Sequence, residues 1–331
     1  MPASLKQIAR ECGVSISTAS RALNGHPGVN PATRERVLAA AGRAGYRPNN
    51  AARALRSRSS GTIGVVLPDM LNNFYAACTA VLQEQFEQHG YGMVLAVTRN
   101  DPAREREALR RLASAQVEGL VLVPTSRRWE FPDARVPVVE MNRHSSRAGI
   151  DVVQSEEREG SREIIDHLLG LGHERIAVIV GEPQFSTTAE RVDGARAALE
   201  AAGLRLAPEL LLAGRHTRAW GAEAFRTAWS LEPRPTAVFT ASSELALGAL
   251  HAAQQLGAAV PRDVSLAAFG DPDWFDVCRP PLTCFEQPLQ EVGMITAQLL
   301  LSRLSGDQPD HRASRVRVAG RLVIRDSVAP T

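Results

Sequence analysis

The sequence predicts a two-part α/β protein: a small all-α head of helix-turn-helix type, then a two-lobed body of parallel sheets wound with helices. Three observations predict it. First, charge is split along the 331 residues. The first 60 hold ten basic side chains against two acidic ones, net +8, while the rest hold 28 against 34, net −6. Such a split marks an anion-binding head on an ordinary globular body. Second, the basic segment reads as helix, glycine turn, helix. Third, from about residue 61 short apolar runs alternate with helical stretches in two successive sets.

Composition excludes several classes. At 44% hydrophobic and 22% charged residues, the chain can bury a substantial core and is not disordered. No apolar stretch approaches the roughly 18–20 residues that span a bilayer. The first residues, MPASLKQIAREC, lack an apolar signal core. Cys12, Cys78, Cys278 and Cys284 form neither a C-x-x-C pair nor a metal-ligand spacing, so they read as reduced thiols. The expectation is a cytoplasmic, nucleoid-associated protein with no membrane partner, no metal and no cofactor.

Residues 4 to 47 read as three short helices. Ser4 and Gln7 make a capping-box pattern before Leu5–Cys12. Gly13 can take the positive φ of a tight turn. Ser15 can cap a second helix, Ile16–Leu23. Asn24 to Gly28 is a loop of turn formers. Asn30 can cap, and Pro31 can open, a third helix running to Gly45. With apolar Ile8, Ala9, Val14 and Ala19 turned inward, this is the pattern of a helix-turn-helix. The second helix would expose Ile16, Ser17, Thr18 and Arg21. Small polar groups let a helix sit deep in the major groove, and an arginine can bridge guanine O6 and N7. The plainer alternative is a three-helix cap whose Ser and Thr only terminate helices; the +8 charge favours the DNA reading.

In the body, strands are read at 62–67, 92–97, 119–123 and 136–141, with helices at 75–89 and 102–115. A second set runs through a helix (159–171), a strand (175–180), a helix (189–202), a strand (237–240), a helix (243–256) and a strand (264–269). Two such sets imply two α/β lobes with a cleft where strand C-terminal ends collect ligands. No G-x-G-x-x-G at a strand end, P-loop, G-x-S-x-G or H-E-x-x-H is present, and the eight histidines do not cluster. A binding body is therefore favoured over an enzyme.

The stretch Leu5-Lys6-Gln7-Ile8-Ala9, then Gly13 through Gly25, Val29, Thr33–Val37 and Gly45-Tyr46-Arg47-Pro48-Asn49 resembles the lactose-repressor (LacI/GalR) family. The resemblance implies a DNA-binding domain at 1–48, a hinge helix and linker at 49–60, and a periplasmic-binding-protein-like effector and dimerisation domain at 61–331. Within the last, lobe 1 would span about 61–158 and 291–320, and lobe 2 about 159–290 and 321–331. It further implies that a helix near 288–305 crosses back to the first lobe. By matching position, DNA contacts would fall on Leu5, Ser15, Ile16, Ser17, Thr18, Ser20, Arg21, Asn24, Tyr46, Asn49, Ala52, Arg53, Leu55 and Arg56. Leu55 would be a minor-groove wedge at the operator centre.

Effector contacts, carried over in the same way, would be Asn73, Phe74, Tyr75, Asn142, Arg143, Arg191, His216, Ser242, Gly270 and Asp271. Phe74 and Tyr75 read equally well as core aromatics, Arg143 and Arg191 as surface arginines, His216 as a loop histidine and Asp271 as a helix cap. Two positions where the family commonly carries acids are Ser243 and Gly270 here, while the two arginines remain. That shifts the cleft toward an anionic ligand. Phe269-Gly270-Asp271 and Val139-Glu140-Met141 also resemble the gluconate-type branch. The expected function is a homodimeric regulator, a repressor in the leading reading, on a near-palindromic double-stranded operator and controlled by a sugar or sugar acid. An activator or co-repressor-dependent regulator shares these features, and a solute-binding protein shares the body alone. No leucine-heptad tail is read after Ile324, which predicts a dimer rather than a coiled-coil tetramer.

Replacing Arg21 by Ala should relax base preference and lose about 1–3 kcal/mol on the preferred site. Operator titrations with single-base variants check this; unchanged affinity and preference would remove Arg21 from base reading.

Overall fold

The computed structural model describes residues 4–23, 26, 28–45, 60–306 and 312–331. The chain divides into two compact units, residues 1–60 and 61–331.

In the first unit three helices close on one small core. Helix α1 (Leu5–Glu11) begins at Ser4, whose Oγ accepts from the Gln7 amide at 3.3 Å. Gly13, at φ +64°, turns the chain toward α2 (Ile16–Leu23). Ser15 Oγ accepts from the Thr18 amide at 3.0 Å and so caps α2. Asn30 caps α3 (Pro31–Arg43) through a 2.9 Å bond from the Ala32 amide, and Pro31 occupies the first turn, where a missing N–H is harmless. Ile8, Ala9, Ala19, Ala22, Val37 and Ala40 fill the centre. Short alanines here let the helix backbones approach closely. Arg43 ties α3 to α1 by a 2.8 Å ion pair with Glu11.

The second unit holds two lobes. The first runs β1 (Thr62–Leu67), α4 (Asn73–Gln88), β2 (Gly92–Val97), α5 (Pro102–Ser114), β3 (Gly119–Leu122), β4 (Val138–Met141) and β5 (Asp151–Ser155). The second runs α6 (Glu157–Gly170), β6 (Ile176–Val180), α7 (Ser186–Ala201), β7 (Leu211–Ala213), α8 (Arg218–Trp229) and β8 (Ala237–Thr240). It continues through α9 (Ser243–Leu256), β9 (Ser265–Phe269), the short α10 (Trp274–Val277) and β10 (Thr283–Glu286). Helix α11 (Leu289–Ser305) then packs back on α4 and the first sheet. Strand β11 (Arg315–Val318) joins the first lobe, and β12 (Arg321–Val323) returns to the second. The chain thus crosses between lobes three times, at 155–157, 286–289 and 318–321.

The sheets have equivalent orders, β11-β5-β4-β3-β1-β2 and β12-β10-β9-β8-β6-β7. Every pairing is parallel except β10 with β12, which is antiparallel. That exception departs from the all-parallel expectation. There β12 is an edge strand that enters the second sheet from β11 of the first after only Ala319 and Gly320. Strands buried on both faces read as unbroken apolar runs, as in Ile176–Val180. Helices α4 and α11 cover one face of the first sheet through Phe74, Cys78, Leu82, Phe86, Val292 and Leu300. Leu109 and Leu112 of α5 cover the other. In the second lobe α6 and α7 take one face and α8 and α9 the other. Each fully buried Leu or Phe contributes about 1.5–3 kcal/mol.

Strands β5, β7, β10, β11 and β12 and helices α8 and α10 escape the sequence reading. They are short, or carry charges inside the strand, as Asp151 and Gln154 do in β5 and Arg315 and Arg317 in β11.

Candidate ligand cleft and helix-turn-helix face

On the head, α2 presents Ile16, Ser17 and Arg21 to solvent, with Ile16 44% exposed. Leu5, Thr18 and Ser20 are half-buried. Ser15 and Thr18 are tied to one another, their hydroxyls 2.8 Å apart, and Ser15 Oγ also lies 2.9 Å from Ser17 Oγ. The cap therefore fixes the first turn of α2, Ser17 included, while Ile16 and Arg21 project into solvent. Asn24, Tyr46, Asn49, Ala52, Arg53, Leu55 and Arg56 lie outside the described residues.

Between the lobes lies a cavity of about 340 Å³. All ten cleft residues named from the sequence line it: Asn73, Phe74, Tyr75, Asn142, Arg143, Arg191, His216, Ser242, Gly270 and Asp271. Asn142, Arg143, His216, Ser242, Gly270 and Asp271 stand just past the C-terminal ends of parallel strands, and Asn73, Phe74, Tyr75 and Arg191 on the helices that follow, the place where open α/β sheets gather ligands. Their chemistry differs from the expectation in several respects.

Arg191, on α7, is only 6% exposed and its charge is met from within. Its Nε and Nη2 each lie 2.5 Å from Glu157 Oε2, and Nη1 donates to the Ala241 carbonyl. Its guanidinium stacks 3.9 Å from the centre of the Phe269 ring. Glu157 is fully buried and is further held by Ser155 Oγ at 2.5 Å and Gln287 Nε2 at 3.2 Å. Burial pushes its carboxyl up, and the Arg191 guanidinium pulls it back. Counting the cleft charge from Ser243 and Gly270 alone overlooked this carboxylate. Glu157 opens the first helix of the second lobe and had no position in the motif, so only the crossover geometry reveals it.

Arg143 differs. It is 5% exposed, stacks 3.7 Å from the centre of the Phe185 ring and donates from Nη1 to Asn100 Oδ1 at 2.7 Å. Among the described residues it has no carboxylate partner, and its buried Nε has no hydrogen-bond partner at all. Neighbouring Asn142 sits at φ +64°, a backbone region that Asn tolerates better than most residues. Its Nδ2 donates to Tyr75 Oη at 3.1 Å, and its buried Oδ1 has no partner.

His216 packs against Gly181, where a Cβ would stand 2.4 Å from the ring Nδ1. Burial and the neighbouring Arg191 and Arg143 push its imidazole down to about 3, so it is neutral at physiological pH. Ser242 caps α9, accepting from the Leu245 amide at 3.3 Å. Asp271 does not cap α10; it is clamped by both terminal nitrogens of Arg325, at 3.0 and 2.8 Å. Gly270, at φ +89°, occupies a conformation that disfavours side chains. Four other acids line the cavity: Glu244 pairs with Arg218 at 2.7 Å and Glu286 with Arg321, Asp69 Oδ1 accepts from the Leu71 amide at 2.9 Å, and Glu291 stands in the first turn of α11.

Beside the cleft, Glu190 of α7 bridges the lobes. His144 Nε2 at 3.3 Å, Gln154 Nε2 at 2.9 Å and Arg317 Nη1 at 2.8 Å all reach its carboxylate from the first lobe. His144, Arg317 and Gln154 together hold the Glu190 carboxyl down at about 2.

The comparisons with known proteins fit this geometry. The model for "Bacterial regulatory proteins, lacI family" matches residues 4–49, and that for a periplasmic binding protein-like domain matches 165–328. Catabolite control protein A of Priestia megaterium is 31% identical over 332 residues, covering 99% of each chain. The chain belongs to the lacI family of bacterial regulatory proteins. It is a DNA-binding transcription regulator with a periplasmic-binding-protein-like body. The transcriptional repressor PurR of Haemophilus influenzae is 30% identical, over 98% of each chain. Among solved structures, the transcriptional regulator CelR in complex with cellobiose shares 30% identity at a TM-score of 0.75, covering 98% of this chain and 99% of that one. The operator-bound lac repressor dimer shares the fold at a TM-score of 0.84 and 24% identity, covering 99% and 100%. No helix among the described residues is long and apolar enough to cross a membrane.

Arg191→Met should leave Glu157 buried without a counter-charge and destabilise the body by about 3–5 kcal/mol. Adding Glu157→Gln should recover most of that loss. Urea unfolding of the full-length variants checks both; additive losses would show that the two groups do not act as a pair.

Proposed function

We propose that the protein is a cytoplasmic, homodimeric transcriptional repressor whose operator affinity is set by a carbohydrate-type effector, a sugar acid, in the interlobe cleft. The observation that carries the reading is the joining of a basic helix-turn-helix unit to a body whose cleft presents a buried, unneutralised arginine. Ile16, Ser17 and Arg21 of α2 read bases, and the other basic groups of the head supply salt-sensitive attraction to phosphate. Ser15 and Thr18 hold that reading face in place, and Leu5 and Ser20 flank it. Asn24, Tyr46, Asn49, Ala52, Arg53, Leu55 and Arg56 complete the DNA contacts, Leu55 as the wedge. A dimer presents two heads to the half-sites of a near-palindrome. Val94, Leu95 and Val97 support pairing of bodies, since they leave an apolar edge strand, β2, open to a second copy.

Catalysis has no part in this reading. The effector acts by preferring one arrangement of the lobes, which changes how the two heads are presented. The likeness to a cellobiose-bound regulator supports a carbohydrate, and Arg143 supports an acid. Neutral His216 and the polar groups of Asn73 and Tyr75 suit hydroxyls, and Phe74 gives the cleft an apolar wall.

Footprinting of the full-length protein on the DNA flanking its gene tests this directly. Protection of a two-fold site, changed about 5- to 150-fold by sugar acids, is the expected outcome and gives the sign of control. Protection that responds only to neutral sugars would sink the acid, and no protected site would sink the regulator.

A further inference from the structure

Glu190 of α7 is a second-lobe carboxylate met by first-lobe donors. Arg317 of β11 reaches it with two nitrogens, Nη1 at 2.8 Å from Oε2 and Nη2 at 3.1 Å from Oε1. Gln154 of β5 donates from Nε2 to both oxygens, at 3.1 and 2.9 Å. The His144 ring, just past β4, places Nε2 3.3 Å from Oε1. Beside it the His144 amide donates to Ser186 Oγ of α7 at 3.0 Å. Each of these contacts joins one lobe to the other.

The His144 ring decides what this bridge responds to. Its Nδ1 faces the Ser145 carbonyl at 3.3 Å, while Nε2 faces the Glu190 carboxylate. Both neighbours only accept hydrogen bonds. A neutral imidazole has one N–H and serves one of them; the imidazolium has two and serves both. Of the charged groups around the ring, Glu190 favours the proton and Arg315 of β11 opposes it. Glu190 is faced in turn by Arg317, and its own charge acts on Glu157 of α6. The bond to Glu190 outweighs burial and raises the imidazole above its ordinary value. Glu190, despite its burial, is held down at about 2. A carboxylate held that low keeps its charge from pH 6 to 8, and arginine keeps its own, so His144 is the member of the bridge that titrates there. Its side chain is 26% exposed, which gives the proton a path to and from solvent.

We propose that Glu190 and the His144 ring form a proton-dependent latch between the lobes, closed when His144 carries a proton and loosened when it does not. When the lobes part, Glu190 leaves with α7, while His144 and Arg315 stay together in the first lobe. The imidazole then loses its anion and keeps a repelling cation, so its proton affinity falls. The latched arrangement therefore binds the proton more tightly. Its gain is full below the pKa of the unlatched imidazole and is lost as pH rises through the raised value of the latched one. Mildly acid solution thus favours the lobe arrangement described above. A ligand that prefers this arrangement binds more tightly at pH 6 than at pH 8, and one that prefers parted lobes binds less tightly. The latch does not depend on which effector the cleft takes.

Hydrogen exchange of the full-length protein, resolved to single amides and corrected for intrinsic rates, tests the latch without any ligand. The reporter is the amide of residue 144, whose acceptor, Ser186 Oγ, lies in the other lobe. In the native protein its protection should be about two- to fivefold greater at pH 6 than at pH 8. Amides of Ile176–Val180, inside the second lobe, should hold their protection across that range and so separate the latch from a general effect of pH on stability. His144→Gln and Glu190→Gln should each abolish the pH dependence at position 144, and Glu190→Gln should also lower protection there at pH 6. Equal protection of the native reporter at both pH values would overturn the latch. A change that Ile176–Val180 shares in equal measure would do the same, as would a pH dependence that survives either substitution.

Discussion

Glu157 has no access to water, and much of the cleft follows from that constraint. A buried carboxylate is stable only when its charge is met and its lone pairs are filled. Arg191 meets the charge, while Ser155 and Gln287 fill the remaining positions. These partners come from different parts of the body: the end of β5, the second helix of lobe two and the crossover after β10. Arg191 in turn binds the Ala241 carbonyl beyond β8 and stacks on Phe269 of β9. One carboxylate therefore joins two of the three interlobe crossovers to the floor of the cavity. The floor of the cavity and the two crossovers thus share one hydrogen-bonded group.

The same constraint divides labour between the arginines. Once Glu157 holds Arg191, the cleft keeps a single buried guanidinium without a carboxylate among the described residues, Arg143. Its sequence neighbour His144 belongs to the Glu190 bridge between the lobes. A buried guanidinium and a contact between lobes thus sit on adjacent residues at the end of β4.

The architecture was legible because its signals are periodic. Short β-branched runs such as Ile176–Val180 favour strands buried on both faces, and Ser4, Ser15 and Asn30 mark helix starts by hydrogen-bond chemistry that is local. Strand β11 was not legible, because Arg315-Val-Arg-Val is an exposed edge whose pairing with β5 spans more than a hundred residues of chain. The lining of the cleft was legible by position, since strand ends are fixed by topology. Its electrostatics were not. Whether Arg191 is free depends on Glu157, 34 positions away, and whether Asp271 is free depends on Arg325, 54 positions away. Pair distances across a fold are not written in local sequence.

The central claim is that cleft occupancy and operator binding draw on one equilibrium between lobe arrangements. Thermodynamic linkage makes this testable without knowing the direction of control. The measurement is the affinity of a sugar acid that the cleft binds for the full-length protein, free and saturated with operator, beside the operator affinity with and without that acid. The account predicts that both affinities change by the same factor, about fivefold or more. Acid affinity that is identical on free and operator-bound protein would contradict it.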